Sequence, residues 1–262
     1  MNLQTVSHYS KQVYRNVHGI LGIRPTDIWL TSFPRSGNSW FRVILGNIIN
    51  LIEQDGQTVD LQTLEALVPS LGLSNLQKPW SYRSLPRFIK THQPYRSLFF
   101  QKPQRTVLIV RDPRDALISY FDLAQKSKVL NYNQSFSQFI RHQRYGIQGW
   151  IRHYQSWQPH ATIVIYYESL RQDTLATLHT AFSTLHIPCD EAIIKEAIQR
   201  SSLEKLKKQE VESGIRDAGR YRSDFRAVRH GQSRSWIETF SAEDLAYYQQ
   251  ICRTHNISIY QE

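Results

Sequence analysis

The apolar positions along this chain alternate between two rhythms. Short runs with little polar interruption, Asp27–Phe33 (DIWLTSF), Phe88–His92 (FIKTH), Arg105–Val110 (RTVLIV) and Ala161–Tyr167 (ATIVIYY), read as strands. Near-continuous runs of this kind suit a parallel sheet covered on both faces. Between them the spacing changes to three and four. Phe41, Ile44, Leu45, Ile48, Ile49 and Ile52 form one stripe of a helix running from Gly37 to about Gln54. Ala116, Leu117, Tyr120 and Phe121 mark another, opening at Pro113, where a fixed φ suits a first turn. Further helices are expected within 134–157, over about Leu170–Leu185, after Pro188-Cys189-Asp190, and over about Ala242–Thr254. Asp60 can cap a short helix carrying Leu61, Leu64 and Leu67. Strands alternating with helices, without an internal repeat or a dividing linker, predict one α/β domain over residues 1–262 with a central parallel sheet flanked by helices.

Three stretches break the rhythm. Residues 1–26 are polar and aromatic and read as an N-terminal arm. Residues 72–87 (GLSNLQKPWSYRSLPR) are rich in Pro, Ser and aromatic side chains, as in a long loop beside a ligand. Residues 205–234 are dense in charge and lack a sustained period, so a mobile segment that orders around an anion is expected there.

Thr31–Trp40 (TSFPRSGNSW) joins the first strand to the first helix. Pro34 and Gly37 supply the restricted and permissive backbone angles of a tight turn. The N–H groups of Ser36 to Ser39 fall at the helix start, where donors lack intrahelical partners and bind anions readily. An ordinary strand–turn–helix corner with a capping serine has the same spacing. The GxxxxGK[ST] pattern is absent, which counts against a common ATP or GTP hydrolase.

Composition narrows the partner rather than the fold. A net charge of +10 and a pI of about 9.6 favour an anionic ligand. Cys189 and Cys252 form neither a disulfide framework nor a zinc motif. The first residues lack the apolar core of a signal peptide, and no run reaches membrane-crossing length, so a cytoplasmic protein is expected.

Three stretches, TSFPRSGNSW (31–40), VRDPRDALISYF (110–121) and RHGQSRSW (229–236), together resemble the phosphate-binding segments of cytosolic sulfotransferases. KTHQP (90–94) and YYES (166–169) resemble two further segments in the same order, so the likeness runs from about residue 29 to 240. Members of that family move a sulfuryl group from 3′-phosphoadenosine-5′-phosphosulfate (PAPS) to an alcohol or amine, leaving 3′,5′-adenosine bisphosphate (PAP). The resemblance implies that Arg35, Ser36, Gly37, Asn38 and Ser39 hold the 5′-phosphosulfate. Arg111, Ser119 and Arg229, with His230 and Gly231, would hold the 3′-phosphate, and Trp40 and Tyr167 would contact adenine. His92 matches the general base, while Arg35 and Lys90 would take up developing charge. No metal is implied. Arg35 stands where the family usually has Lys, Arg234 where it has Gly, and Leu203 near a usual aromatic.

The rest is less specific. Asp112 can cap the helix at Pro113, with Arg114 and Asp115 facing each other or solvent. Trp80, Tyr82, Phe121, Tyr145 and Trp150 are candidate walls for a small organic acceptor, such as a hydroxylated natural product. Asp173, Glu210 and Glu212 either attract a cationic acceptor or form a solvated face. Two other functions fit parts of the pattern: a small-molecule or nucleotide kinase with a variant loop, and a basic nucleic-acid-binding module.

Overall fold

The computed structural model describes residues 19–53, 59–100, 105–215, 218–228 and 235–260. Four strands, β1 (Ile28–Ser32), β2 (Phe88–Thr91), β3 (Arg105–Val110) and β4 (Ile163–Tyr166), pair in parallel in the order β2-β1-β3-β4. Alternate side chains leave opposite faces of each strand. Ile28, Leu30, Phe88, Val107, Ile109 and Ile165 join one core; Trp29, Ile89, Leu108 and Val110 join the other. Both faces are covered, which is why the strands carry unbroken apolar runs.

Helix α1 (Asn38–Glu53) covers the first face with the short α2 (Leu64–Leu67). The second face is covered by α3 (Pro113–Lys126), α4 (Phe136–Arg141) and α5 (Ile147–Trp157). Beyond β4, α6 (Tyr167–Gln172), α7 (Thr174–Thr184) and α8 (Glu191–Arg200) return to the α1 side. Helices α9 (Leu203–Ser213) and α10 (Ala242–Thr254) follow. From β1 the chain goes to β2 on one side of the sheet and then to β3 on the other. The carboxyl ends of β1, β2 and β3 therefore flank a switch point, the place where open parallel sheets form a ligand crevice.

Several boundaries differ from the sequence expectation for local reasons. The pattern over 134–157 is two helices, because the backbone turns extended at His142 (φ −68°, ψ 127°), ending α4, and α5 restarts from Gly146 at its N-cap; a reciprocal capping box of Ser135 and Gln138 opens α4. The pattern over 170–185 is also two: Asp173 leaves the helical region (φ −141°) and its carboxylate accepts from the Ala176 N–H, starting α7. Asp173 is thus a cap. Within the charged stretch 205–234, α9 is regular helix, capped by Ser202 and ended by Gly214 at φ 74°. It buries only Leu206 and Glu210, a stripe too thin to show as periodicity. The N-terminal arm falls mostly on residues 1–18, outside the described residues. Among the described residues, no helix is long and apolar enough to cross a membrane.

Candidate active site

The link between β1 and α1 is built from two left-handed residues, Arg35 (φ 67°) and Gly37 (φ 92°). At Gly37 a side chain is excluded, because a Cβ would lie 2.4 Å from Cδ2 of Tyr167. Arg35 has a side chain, so its backbone costs about 1–2 kcal/mol and needs holding. Its carbonyl accepts from Arg111 Nη1 at 3.1 Å. Its own Nε donates to Ser119 Oγ at 2.9 Å, and Nη2 donates to the Ala227 carbonyl at 3.2 Å. The turn delivers the N–H groups of residues 36–39 to the start of a 16-residue helix. Beside them the Ser36 hydroxyl is fully buried without a hydrogen-bond partner among the described residues. An unsatisfied buried hydroxyl at a helix start is a donor set aside for a ligand, so the loop fits an anion.

Next to the loop, Trp40 is fixed by its indole N–H donating to the Ser201 carbonyl at 2.9 Å. Its ring meets that of Tyr167 edge-on, with centroids 6.4 Å apart. The Arg111 guanidinium lies over the Tyr167 ring at 4.6 Å. Trp40, Tyr167, Arg111, Ser119 and Leu203 line one cavity of about 460 Å³ with the loop, so the structure brings these expected residues together.

His92 and Lys90 enter the same cavity from β2. His92 Nδ1 lies 2.7 Å from the Ser32 carbonyl, which can only accept, so Nδ1 carries the proton and Nε2 keeps a lone pair. Burial, then the neighbouring Lys90 charge, push the imidazole pKa well below its ordinary value; the Ser32 carbonyl opposes them weakly. His92 is therefore neutral at neutral pH. Burial and the Arg42 charge push Lys90 down to about 8, against the pull of Glu65.

The Arg42–Glu65 pair has no counterpart in the sequence reading. Glu65 accepts from Arg42 Nη2 at 2.9 Å, from the Ser70 N–H and hydroxyl at 3.0 and 2.7 Å, and from the Ser74 hydroxyl at 2.6 Å. Burial raises this carboxyl, but Arg42 and the serines outweigh it and hold it at about 2. Ser70 in turn sits between Pro69 and Leu71, whose backbones pair with Lys90. An arginine inside an apolar helix face is the trace this pair leaves in the sequence, and it does not name its partner.

The acceptor end differs from expectation. Leu61, Leu64, Leu73, Leu123, Leu130 and Ile215 line the cavity, with Tyr120, Tyr221 and Phe225. Trp80, Tyr82, Phe121, Tyr145 and Trp150 do not. Trp80 donates to the Leu85 carbonyl and packs edge-on to Tyr82. Phe121 packs among Phe136 and Phe139, Tyr145 stacks on His142, and Trp150 is buried against Tyr154. On α3 the preceding residue, Tyr120, faces the cavity instead. Aromatic type alone does not distinguish a pocket wall from core packing.

Asp115 and Glu210 are internal and face neither solvent nor an acceptor. Asp115 accepts from the Ser235 hydroxyl at 2.7 Å and the Trp236 N–H at 3.2 Å, while Arg114 pairs with Asp112 and lies 3.8 Å over the Trp236 ring. Asp112 does cap α3, accepting from the Arg114 N–H. Glu210 accepts from the N–H groups of Ala227 and Val228, whereas Glu212 is exposed beside Lys208. Arg229, His230, Gly231 and Arg234 lie outside the described residues.

A family model described as a sulfotransferase domain matches residues 25–259. Mouse sulfotransferase 4A1 is 25% identical over 194 residues, covering 68% of this chain and 66% of the relative. The human protein of that name is 26% identical over 65% of this chain and 63% of its own length. The match thus spans just under two thirds of these relatives. Bovine sulfotransferase 1A1 is 25% identical over 83% of this chain and 79% of its own. Among solved structures, a retinol dehydratase in complex with androsterone and PAP superposes with a TM-score of 0.72 at 16% identity, covering 95% of this chain and 86% of the other. Mouse SULT7A1 complexed with PAP gives 0.69 at 20% identity, covering 95% and 91%. At such identities these two establish the fold.

Proposed function

The chain belongs to the sulfotransferase family, and on that premise we propose that it transfers a sulfuryl group from PAPS to the hydroxyl of a small, largely apolar acceptor, releasing PAP. One observation carries the reading: an anion-binding loop and a neutral histidine with an available Nε2 share a cavity whose remaining wall is leucine-rich. Structural neighbours are described with PAP and with androsterone or retinol, and the leucine wall here suits an acceptor with an apolar body.

PAPS would supply the activated sulfuryl group on a phosphate leaving group. The 36–39 amides would receive its 5′ end, with the Ser36 hydroxyl buried behind them. Arg111 and Ser119 would hold the 3′-phosphate, and Trp40, Tyr167 and Leu203 would enclose the base. Arg35 stabilises charge on the bridging oxygen without yielding a proton, because a guanidinium stays protonated. Lys90, which lines the same cavity, would support that charge. His92 Nε2 removes the acceptor proton. A polyanion bound beside His92 would favour its protonated form and so oppose the lowering by burial. In-line transfer of this kind depends on positioning and charge more than on covalent help.

The test is transfer of label from sulfur-labelled PAPS to a panel of apolar alcohols, phenols and amines. Label should reach a hydroxylated member of the panel with magnesium removed. Label that stays on PAPS throughout counts against the reading, and a magnesium-dependent ATP reaction replaces it with a kinase.

A further inference from the structure

Glu210 lies on α9 behind the cavity wall and is 8% exposed. A buried carboxylate is costly unless its oxygens are satisfied. Among the described residues no lysine or arginine forms an ion pair with it; each oxygen instead takes a backbone N–H, from Ala227 at 2.6 Å and from Val228 at 2.8 Å. Charge-assisted bonds to two successive amides fix both peptide planes. The Ala227 carbonyl is thereby aimed at Arg35 Nη2, 3.2 Å away. At its other edge the same guanidinium is bound to Ser119. Ala227 and Val228 line the cavity; Glu210 does not.

Resting on the proposed function, we propose that Glu210 is a positioning residue for the sulfuryl-donor site, holding the Arg35 guanidinium in place through the 227–228 peptide. The sign of its effect separates this role from plain electrostatics. A carboxylate near a site for a tetra-anion opposes binding through its field, so removing the charge alone would tighten PAP. Removing a positioning group loosens it. A general loss of structure would weaken PAP whatever stands at residue 35.

The experiment is a double-mutant cycle on PAP affinity by calorimetry, using the wild-type chain, Glu210→Gln, Arg35→Ala and the double variant. Glutamine keeps the shape but offers one acceptor and one donor to two N–H groups. Glu210→Gln should weaken PAP about 5–20-fold with Arg35 present and less than about 2-fold with Arg35→Ala. Glu210→Asp, which keeps the charge but shortens the reach, should weaken PAP in the same direction and serves if the glutamine variant fails to fold. Unchanged or tighter PAP binding by these variants overturns the inference, as does an equal loss in both backgrounds. If the wild-type chain does not bind PAP, the functional reading falls and the inference with it. PAP binding without coupling removes the inference alone.

Discussion

The two ends of the cavity are made differently. At the phosphate end, Pro34, Arg35 and Gly37–Trp40 come from one short segment, and one left-handed turn sets their geometry. At the acceptor end, Leu61, Leu73, Leu123, Leu130 and Ile215 come from separate parts of the chain and share no motif. A ligand common to a whole family can be bound by a local backbone device, because amides at a helix start recognise any phosphate. An acceptor that differs between members calls for a wall that varies residue by residue. On the proposed function, the phosphate end would carry the reaction class and the acceptor end the individual substrate.

Substitutions at the two ends should separate accordingly. His92→Ala should have the largest effect, lowering kcat by about 10²–10⁴ while PAP affinity stays within a few-fold. A comparable collapse of PAP binding would make His92 a structural residue and blur the division. Arg111→Ala comes next: PAP binding should weaken by about 10–100-fold, the scale of a lost charge-assisted contact, and adenosine 5′-phosphate binding far less. Equal losses for both nucleotides would take Arg111 away from the 3′-phosphate.

A smaller effect is expected from pH. Lys90 is cationic below its pKa of about 8 and neutral above it. Its stabilising charge is therefore present at pH 7 and lost as pH rises. The free enzyme's kcat/KM for PAPS should fall about tenfold from pH 7 to pH 9, with no matching acid limb from His92 near neutrality. A flat profile across that range would remove Lys90 from the charge-bearing role. Leu73→Ala should do least, since Leu73 is partly exposed at the acceptor end. It should raise acceptor KM by about 3–10-fold, the equivalent of one or two buried methylenes, and leave PAP affinity unchanged. A larger effect on PAP than on acceptor would reverse the assignment of the two ends.

The same contrast explains what could be read from the sequence. Sheet strands were legible because burial on both faces demands unbroken apolar runs, and Arg105–Val110 appears with the expected bounds. The TSFPRSGNSW loop was legible because its function is local. The acceptor wall was not: Trp80 and Trp150 satisfy every compositional criterion for a pocket aromatic, yet both are committed to packing. From the sequence, Glu210 fits either a lure for a cationic acceptor or a solvated face, because the residues it binds lie 17 and 18 positions later. Helix α9 was hidden by its sparse buried face. For Glu210 the decisive contacts are with distant residues, where spacing carries no signal.

Recognition of the 3′-phosphate is tested most directly by comparing PAP with ADP and ATP–magnesium by thermal shift, because a ligand of the folded state raises apparent stability. A clear rise with PAP that ADP does not produce is the predicted result. Equal shifts for PAP and ADP, or a shift only with ATP and magnesium, would contradict it.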